Sequence, residues 1–375
     1  MSEVTVAAAR VVTPQGVLVN GQITADDGWI VDIREGASPG QPDLWAVPGF
    51  VDTHCHGAVG VDFGNPDRQA NQRAIDFHRS HGSTTLFAST VTEPLSVLVA
   101  KLGVLRGLVA DGELAGIHLE GPFLAEAKKG AHDASLLLDP APEHVERLIA
   151  AGGEALKMVT LAVERDHCEL AVRRFREAGL HAAFGHSDAT AAQARLGLDW
   201  GIDVATHLFN AMRPIHHRDP GPVTVLLTDS RAMNEIICDG VHLDAAIARL
   251  AIDAAGVHRT ALITDAMSAT GIGDGNYDLG GLAVQVIGGT ARLVTQDGSA
   301  GAIAGSTLTM DRAFEFVVGN VGLGIPEAAL IAATTPAAWH GLHEVGALEV
   351  GRRADVCVVD DSGRLHQVMR RGEWL

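Results

Sequence analysis

Through the middle of the chain, short apolar runs alternate with longer stretches whose apolar residues recur every three or four positions. The short runs predict strands near 45–51, 83–89, 114–119, 156–161, 181–185, 202–206, 234–238 and 260–264. The stretches between them predict helices, among them 68–81, 94–110, 166–179, 189–199 and 244–256. Eight strand–helix units in succession argue for a closed barrel of parallel strands over an open sheet. The two ends read differently. Val4 to Val12, Val17 to Ile23 and Trp29 to Ile33 are short and β-like, and Ala354 to Val359 and Arg364 to Met369 resume the style after the Asp360–Gly363 turn. The predicted fold is α/β: a (β/α)8 TIM-type barrel over 48–347 with a small β-sandwich domain built from 1–47 and 348–375. After the eighth strand, Thr270 to Gly289 and Ala291 to Thr295, ending in the turn Gln296-Asp297-Gly298, read as a β excursion over the barrel mouth, followed by helices near 308–320 and 326–338.

Residues able to bind a metal or move a proton close the predicted strands. The first ends in His54-Cys55-His56, and alternate side chains of an extended strand share a face, so the two histidines point the same way. Glu120, His186, His207 and Asp265 close later runs. Imidazole and carboxylate groups suit zinc or iron, and a catalytic site keeps one position open for water. His54, His56, Glu120, His186 and His207 exceed what one tetrahedral ion needs, so one or two ions are expected, a pair having Glu120 between them, zinc before iron or another transition metal. Asp265, ending the eighth strand, is placed to handle the proton of a metal-activated water. Each has a plainer reading: His186 as a hydrogen-bonded core histidine, Glu120 as a turn carboxylate, Asp265 as a helix or turn cap. Their joint position at strand ends favours chemistry.

Composition narrows the partners. A net charge of −18 over 375 residues, with no long Lys/Arg run, argues against nucleic acid and anionic membranes, leaving a small anion received by a local basic pocket. Arg218, in the loop Arg213 to Gly221, is a sensible receiver for a phosphate. The four cysteines form no CxxC pair, and neither a signal sequence nor a long apolar run is evident, so a soluble cytoplasmic protein is expected.

The ordered set of ligand-type residues resembles the amidohydrolase superfamily, as does the ending Gly346 to Val356. Within it the chain is most similar to the N-acetylglucosamine-6-phosphate deacetylases, through His118-Leu119-Glu120-Gly121-Pro122-Phe123, Lys128-Lys129-Gly130-Ala131-His132, Gly185-His186-Ser187, Thr206 to Met212, Asp239-Gly240-Val241-His242 and Thr264-Asp265-Ala266. The resemblance implies Glu120, His186 and His207 as shared metal ligands, His54 and His56 for a second ion, and Asp265 as catalytic acid/base. It implies substrate contacts at Ala131, His132, Asn210, Ala211, Arg218, His242 and, in the loop Ile303-Ala304-Gly305, at Ile303, Ala304 and Gly305. The reaction so implied is metal-dependent removal of acetate from a phosphorylated amino sugar, N-acetyl-D-glucosamine 6-phosphate, with His132 polarising the acetyl carbonyl, in a homodimer that shares phosphate contacts. Lys128 and Lys129 read as solvent-facing and Lys157 as structural. The rivals are another amidohydrolase, acting on a cyclic amide or deaminating a ring, and a barrel that has become a non-catalytic scaffold.

Overall fold

The computed structural model describes residues 3–36, 43–295 and 299–375; the turn expected at 296–298 lies outside them. Eight parallel strands, Val51–Asp52, Thr85–Thr90, Gly116–Glu120, Leu156–Leu161, His181–Phe184, Val204–Ala205, Met233–Ile237 and Thr260–Ile263, pair in chain order. The first and eighth are joined by backbone bonds from Asp265 N to His54 O and from His56 N to Ala266 O, both 2.8 Å. Asp52 ties the same seam, accepting from the Thr264 hydroxyl at 2.6 Å. This is the predicted TIM-type barrel.

Its interior is layered by the two-residue period of the strands. Met158, Ala183, Val204, Met233 and Ala261, one from each of strands four to eight, form an apolar floor. Two residues further along, Thr160, Thr206 and Glu235 form a polar layer, joined by His118. His118 Nε2 meets Thr160 Oγ1 at 2.8 Å, and the Thr160 and Thr206 hydroxyls meet at 2.7 Å. Gly185 leaves room for this layer, since a Cβ there would lie 2.6 Å from Thr160 Cγ2.

The termini form one seven-stranded sheet, whose strands from both ends enclose a shared apolar cluster that includes Val6, Ile23, Ile30, Val356 and Met369. The strand expected at 45–51 divides. Leu44–Pro48 pairs with Val356–Asp360 in the terminal sheet, and only Val51–Asp52 enters the barrel, because Gly49 and Phe50 turn the chain between them. Two helices went unpredicted, Pro142–Gly152 and Gly221–Thr228. The first begins on a proline, which suits the first helical turn; the second is short and nearly all apolar, so no polar face marks its period. The excursion after strand eight is a four-stranded antiparallel sheet, Gly275–Leu279, Leu282–Ile287, Thr290–Val294 and Ala300–Ile303. Leu279, Val284, Val286 and Ala291 pack with Val91 and Met267, which seats this sheet against the barrel rim.

Candidate metal centre and active site

Three barrel strands turn sharply just past their ends. His186, His207 and Asp265 have φ of +47°, +30° and +50°, a left-handed conformation uncommon for residues with a Cβ. Such strain clusters where side-chain direction matters, and here it turns three side chains into the cluster around Glu120.

Glu120 is the centre of the arrangement. Its Oε1 lies 3.1 Å from His186 Nε2 and 2.9 Å from His207 Nε2, which are themselves 3.1 Å apart. Its Oε2 lies 3.2 Å from His56 Nε2 and 3.7 Å from His54 Nε2. Asp265 Oδ1 completes that second group, 3.1 Å from His56 and 3.4 Å from His54. The Nε2 atoms of His54 and His56, which form a two-nitrogen claw, are 3.1 Å apart. Bonds of about 2.0–2.1 Å in tetrahedral array put neighbouring ligand atoms about 3.3 Å apart, so both groups have the spacing of a cation's ligand shell. One carboxylate serves both, each oxygen facing its own histidine pair.

The hydrogen bonds behind the ring fix which nitrogen faces inward. His186 Nδ1 donates to the Lys128 carbonyl at 2.9 Å and His54 Nδ1 to Glu235 Oε2 at 3.3 Å, leaving each Nε2 with a free lone pair. Glu235, fully buried on strand seven, also accepts from the Thr53 hydroxyl at 3.0 Å. The opposite holds for His132. The backbone N–H of Thr92 donates to its Nδ1 at 3.2 Å; a backbone amide cannot accept, so neutral His132 carries its proton on Nε2, which sits 3.5 Å from Glu120 Oε2. Burial pushes the His132 imidazole down to about 4, keeping it neutral. His132 is therefore a donor beside the centre. Burial pushes the Asp265 carboxyl up, but His54 and His56 more than offset it and hold it down to about 2; burial is likewise outweighed at Glu120, whose carboxyl lies well below its usual range, by the surrounding imidazoles, His54 first and then His132, His186 and His207.

A cavity of about 370 Å³ opens over this floor. Of the residues expected to touch substrate, Ala131, His132, Asn210, Ala211, His242, Ile303 and Gly305 line it. His242 is oriented by Asp239, Nδ1 donating to Oδ2 at 2.7 Å. Arg218 and Ala304 do not line the cavity of this single chain. Arg218 is exposed, paired with His217 at 2.9 Å, and lies off the cavity wall, because its loop extends outward from the rim. Ala304 is buried behind the wall, its N–H bonded to Ala291 O at 3.1 Å. Lys128, read as solvent-facing, instead lines the cavity, with its ammonium 3.6 Å from Asp188. Gly130 lets the segment Lys128 to His132 approach His186, since a Cβ would lie 3.1 Å from the ring.

The Amidohydrolase family model matches residues 45–375. The chain belongs to the amidohydrolase family. This amidohydrolase is 34% identical to N-acetylgalactosamine-6-phosphate deacetylase of Escherichia coli O157:H7, over 98% of the chain and 97% of that relative. It is 34% identical to N-acetylglucosamine-6-phosphate deacetylase of Vibrio furnissii, over 94% and 88%. The structure of N-acetyl-D-glucosamine-6-phosphate deacetylase from Mycobacterium smegmatis in complex with N-acetyl-D-glucosamine-6-phosphate superposes with a TM-score of 0.94 at 42% identity, covering 100% of this chain and 99% of that one. The amidohydrolase fold and the His/Glu/Asp cluster together indicate a divalent cation at this centre.

Proposed function

We propose that this amidohydrolase hydrolyses N-acetyl-D-glucosamine 6-phosphate to D-glucosamine 6-phosphate and acetate, with zinc held by His54, His56, Glu120, His186 and His207. The observation that carries the reading is the division of four histidines between the two oxygens of Glu120, next to Asp265 and a histidine locked as a donor. A divalent cation at such a site supplies Lewis acidity and lowers the pKa of water from about 15.7 toward about 7. Asp265 accepts the proton of the attacking water and returns it to the amine nitrogen as the C–N bond breaks, since an amine anion is too poor a leaving group to depart unprotonated. His132 donates its Nε2 proton in a hydrogen bond to the acetyl oxygen as negative charge develops there. The phosphate is received by His242 and the Asn210–Ala211 segment, with Lys128 as a further cation on the wall.

Arg218 reaches a phosphate only across a homodimer interface in this reading, which is why we assign a dimer. We place the division between terminal sheet and barrel at residues 47 and 347; Leu348 and Ala354 belong to the terminal apolar cluster. The cytoplasm is assigned because all four cysteines are free and buried, as in a reducing compartment.

A second reading, the 4-epimeric N-acetyl-D-galactosamine 6-phosphate, is favoured by the similarity to the Escherichia coli relative. Acetate release should be compared for both sugar phosphates and for unphosphorylated N-acetylglucosamine, before and after exhaustive chelation. The proposal requires a marked preference for the phosphorylated glucose epimer and loss of turnover on chelation. Equal rates without phosphate would point to another amidohydrolase activity, and a faster galactose epimer would establish the second reading.

A further inference from the structure

The two histidines of the claw are supported unequally. His54 has Glu235 behind it, whereas Nδ1 of His56, a residue only 3% exposed, has no hydrogen-bond partner among the described residues. A buried ring N–H left unpaired costs about 1–3 kcal/mol, and metal-ligating histidines nearly always give that proton to a carboxylate, carbonyl or water. His56, which also lines the larger cavity, borders a separate one of about 60 Å³. Asp62 and Thr90 border it too, and Asp62 Oδ1 and Thr90 Oγ1 are likewise buried and unpartnered.

The fold brings Asp62 there deliberately. After the claw the chain makes a tight hairpin in which Gly57 pairs with Asp62, and Phe63 N bonds to His56 O at 2.8 Å. Its turn residues Val59 and Gly60 have φ of +47° and +80°, the primed turn that suits a two-residue hairpin. A β-branched residue is costly in that conformation, and it is retained under two pins, Val59 N to Thr270 O at 2.8 Å and Gly60 N to Ser268 O at 2.7 Å. A Cβ on Gly57 would lie 2.0 Å from Val61 O, so only glycine lets the hairpin close. The other charged groups around the cavity are engaged: Lys101 pairs with Glu93 at 2.6 Å, and Asp278 Oδ1 accepts from Gly281 N at 2.9 Å.

We propose that Asp62 is a positioning residue for His56, its carboxylate taking the Nδ1 proton through one bridging water, with the Thr90 hydroxyl beside it, so that Nε2 is presented to a bound cation as Glu235 presents that of His54. The cavity has room for such a water, which occupies about 30 Å³. This rests on the metal-dependent reading above. The test is zinc affinity of the demetallated protein, by competition with a chromogenic chelator, for wild type, Asp62→Ala and Asp62→Asn. Loss of such a partner typically weakens metal binding 10–100-fold. The expected result is a loss of that size for Asp62→Ala and a smaller one for Asp62→Asn, with the melting temperature of all three metal-free proteins unchanged. Unchanged zinc affinity in Asp62→Ala overturns the inference, as does an equal loss in both variants accompanied by lower melting temperatures. A wild type that binds no zinc overturns instead the reading on which it rests.

Discussion

Replacing His132 by Asn isolates the donor assigned to the acetyl oxygen. Thr92 contributes a backbone N–H at 3.2 Å and a hydroxyl at 2.9 Å to Nδ1 of His132. An Asn side chain sets its carbonyl oxygen near that nitrogen and so keeps the anchor. It is too short to place an N–H where Nε2 now lies, 3.5 Å from Glu120 Oε2. The loss is therefore the donor alone. Removing one such donor lowers kcat about 10²–10³-fold, or about 2.7–4 kcal/mol of transition-state stabilisation. His132→Gln, long enough to restore an N–H near the original position, should recover part of the loss. Thr92→Val removes only the hydroxyl and leaves the backbone amide that sets the tautomer, so its effect should stay within about threefold. The assay is steady-state acetate release, with KM followed separately, because a donor that acts on developing charge affects kcat and leaves KM nearly unchanged. A His132→Asn enzyme with wild-type kcat, or one altered only in KM, would refute the assignment.

Exhaustive chelation should abolish turnover and lower the melting temperature, with zinc restoring both; undiminished hydrolysis in the stripped protein would be fatal to the metal-centred mechanism. Arg218→Ala should raise KM at least tenfold for the phosphorylated sugar. Co-expressed with Asp265→Asn, each inactive or impaired alone, it should regain near wild-type KM in the mixed dimers, where an intact Asp265 meets a neighbour's Arg218; no recovery would place Arg218 outside the site. Burial pushes His78, bonded to Gly57 O at 3.0 Å, down to about 4 from 6.5. The unfolded chain therefore binds the extra proton between these values, so stability from this group is complete above about 6.5 and is lost as pH falls toward 4, about 3 kcal/mol in all. Urea titrations of metal-free protein over that range should show the slope, and His78→Gln should flatten it. Because His132 is neutral down to about 4, kcat should lack an alkaline limb near 6.5 from this residue, and such a limb that vanished in His132→Gln would contradict its neutral role.

The His/Glu/Asp cluster was legible because each member closes an apolar run, and strand ends in a parallel barrel converge on one rim. Glu235 was not found, although a charged residue inside Met233–Ile237 was a usable signal: a carboxylate fully buried in a strand requires a partner. His132 could be located but its tautomer could not, since that depends on an amide 40 positions away in the chain. The boundary of strand one was missed because one apolar run supplies two sheets, and the run itself carries no mark of where hydrogen bonding changes partner. Arg218 could be placed in the loop Arg213 to Gly221, but which way a surface loop extends is set by tertiary contacts, not by local pattern.

Sharing one carboxylate between two histidine pairs makes the halves of the centre thermodynamically linked. In the two-ion reading proposed above, filling either half would draw electron density from Glu120 and set a like charge beside the vacant half, so the second equivalent would bind more weakly than the first. Stepwise reconstitution should then be biphasic, and the half-loaded protein would be a distinct species, neither an average of the empty and full forms nor a mixture of them.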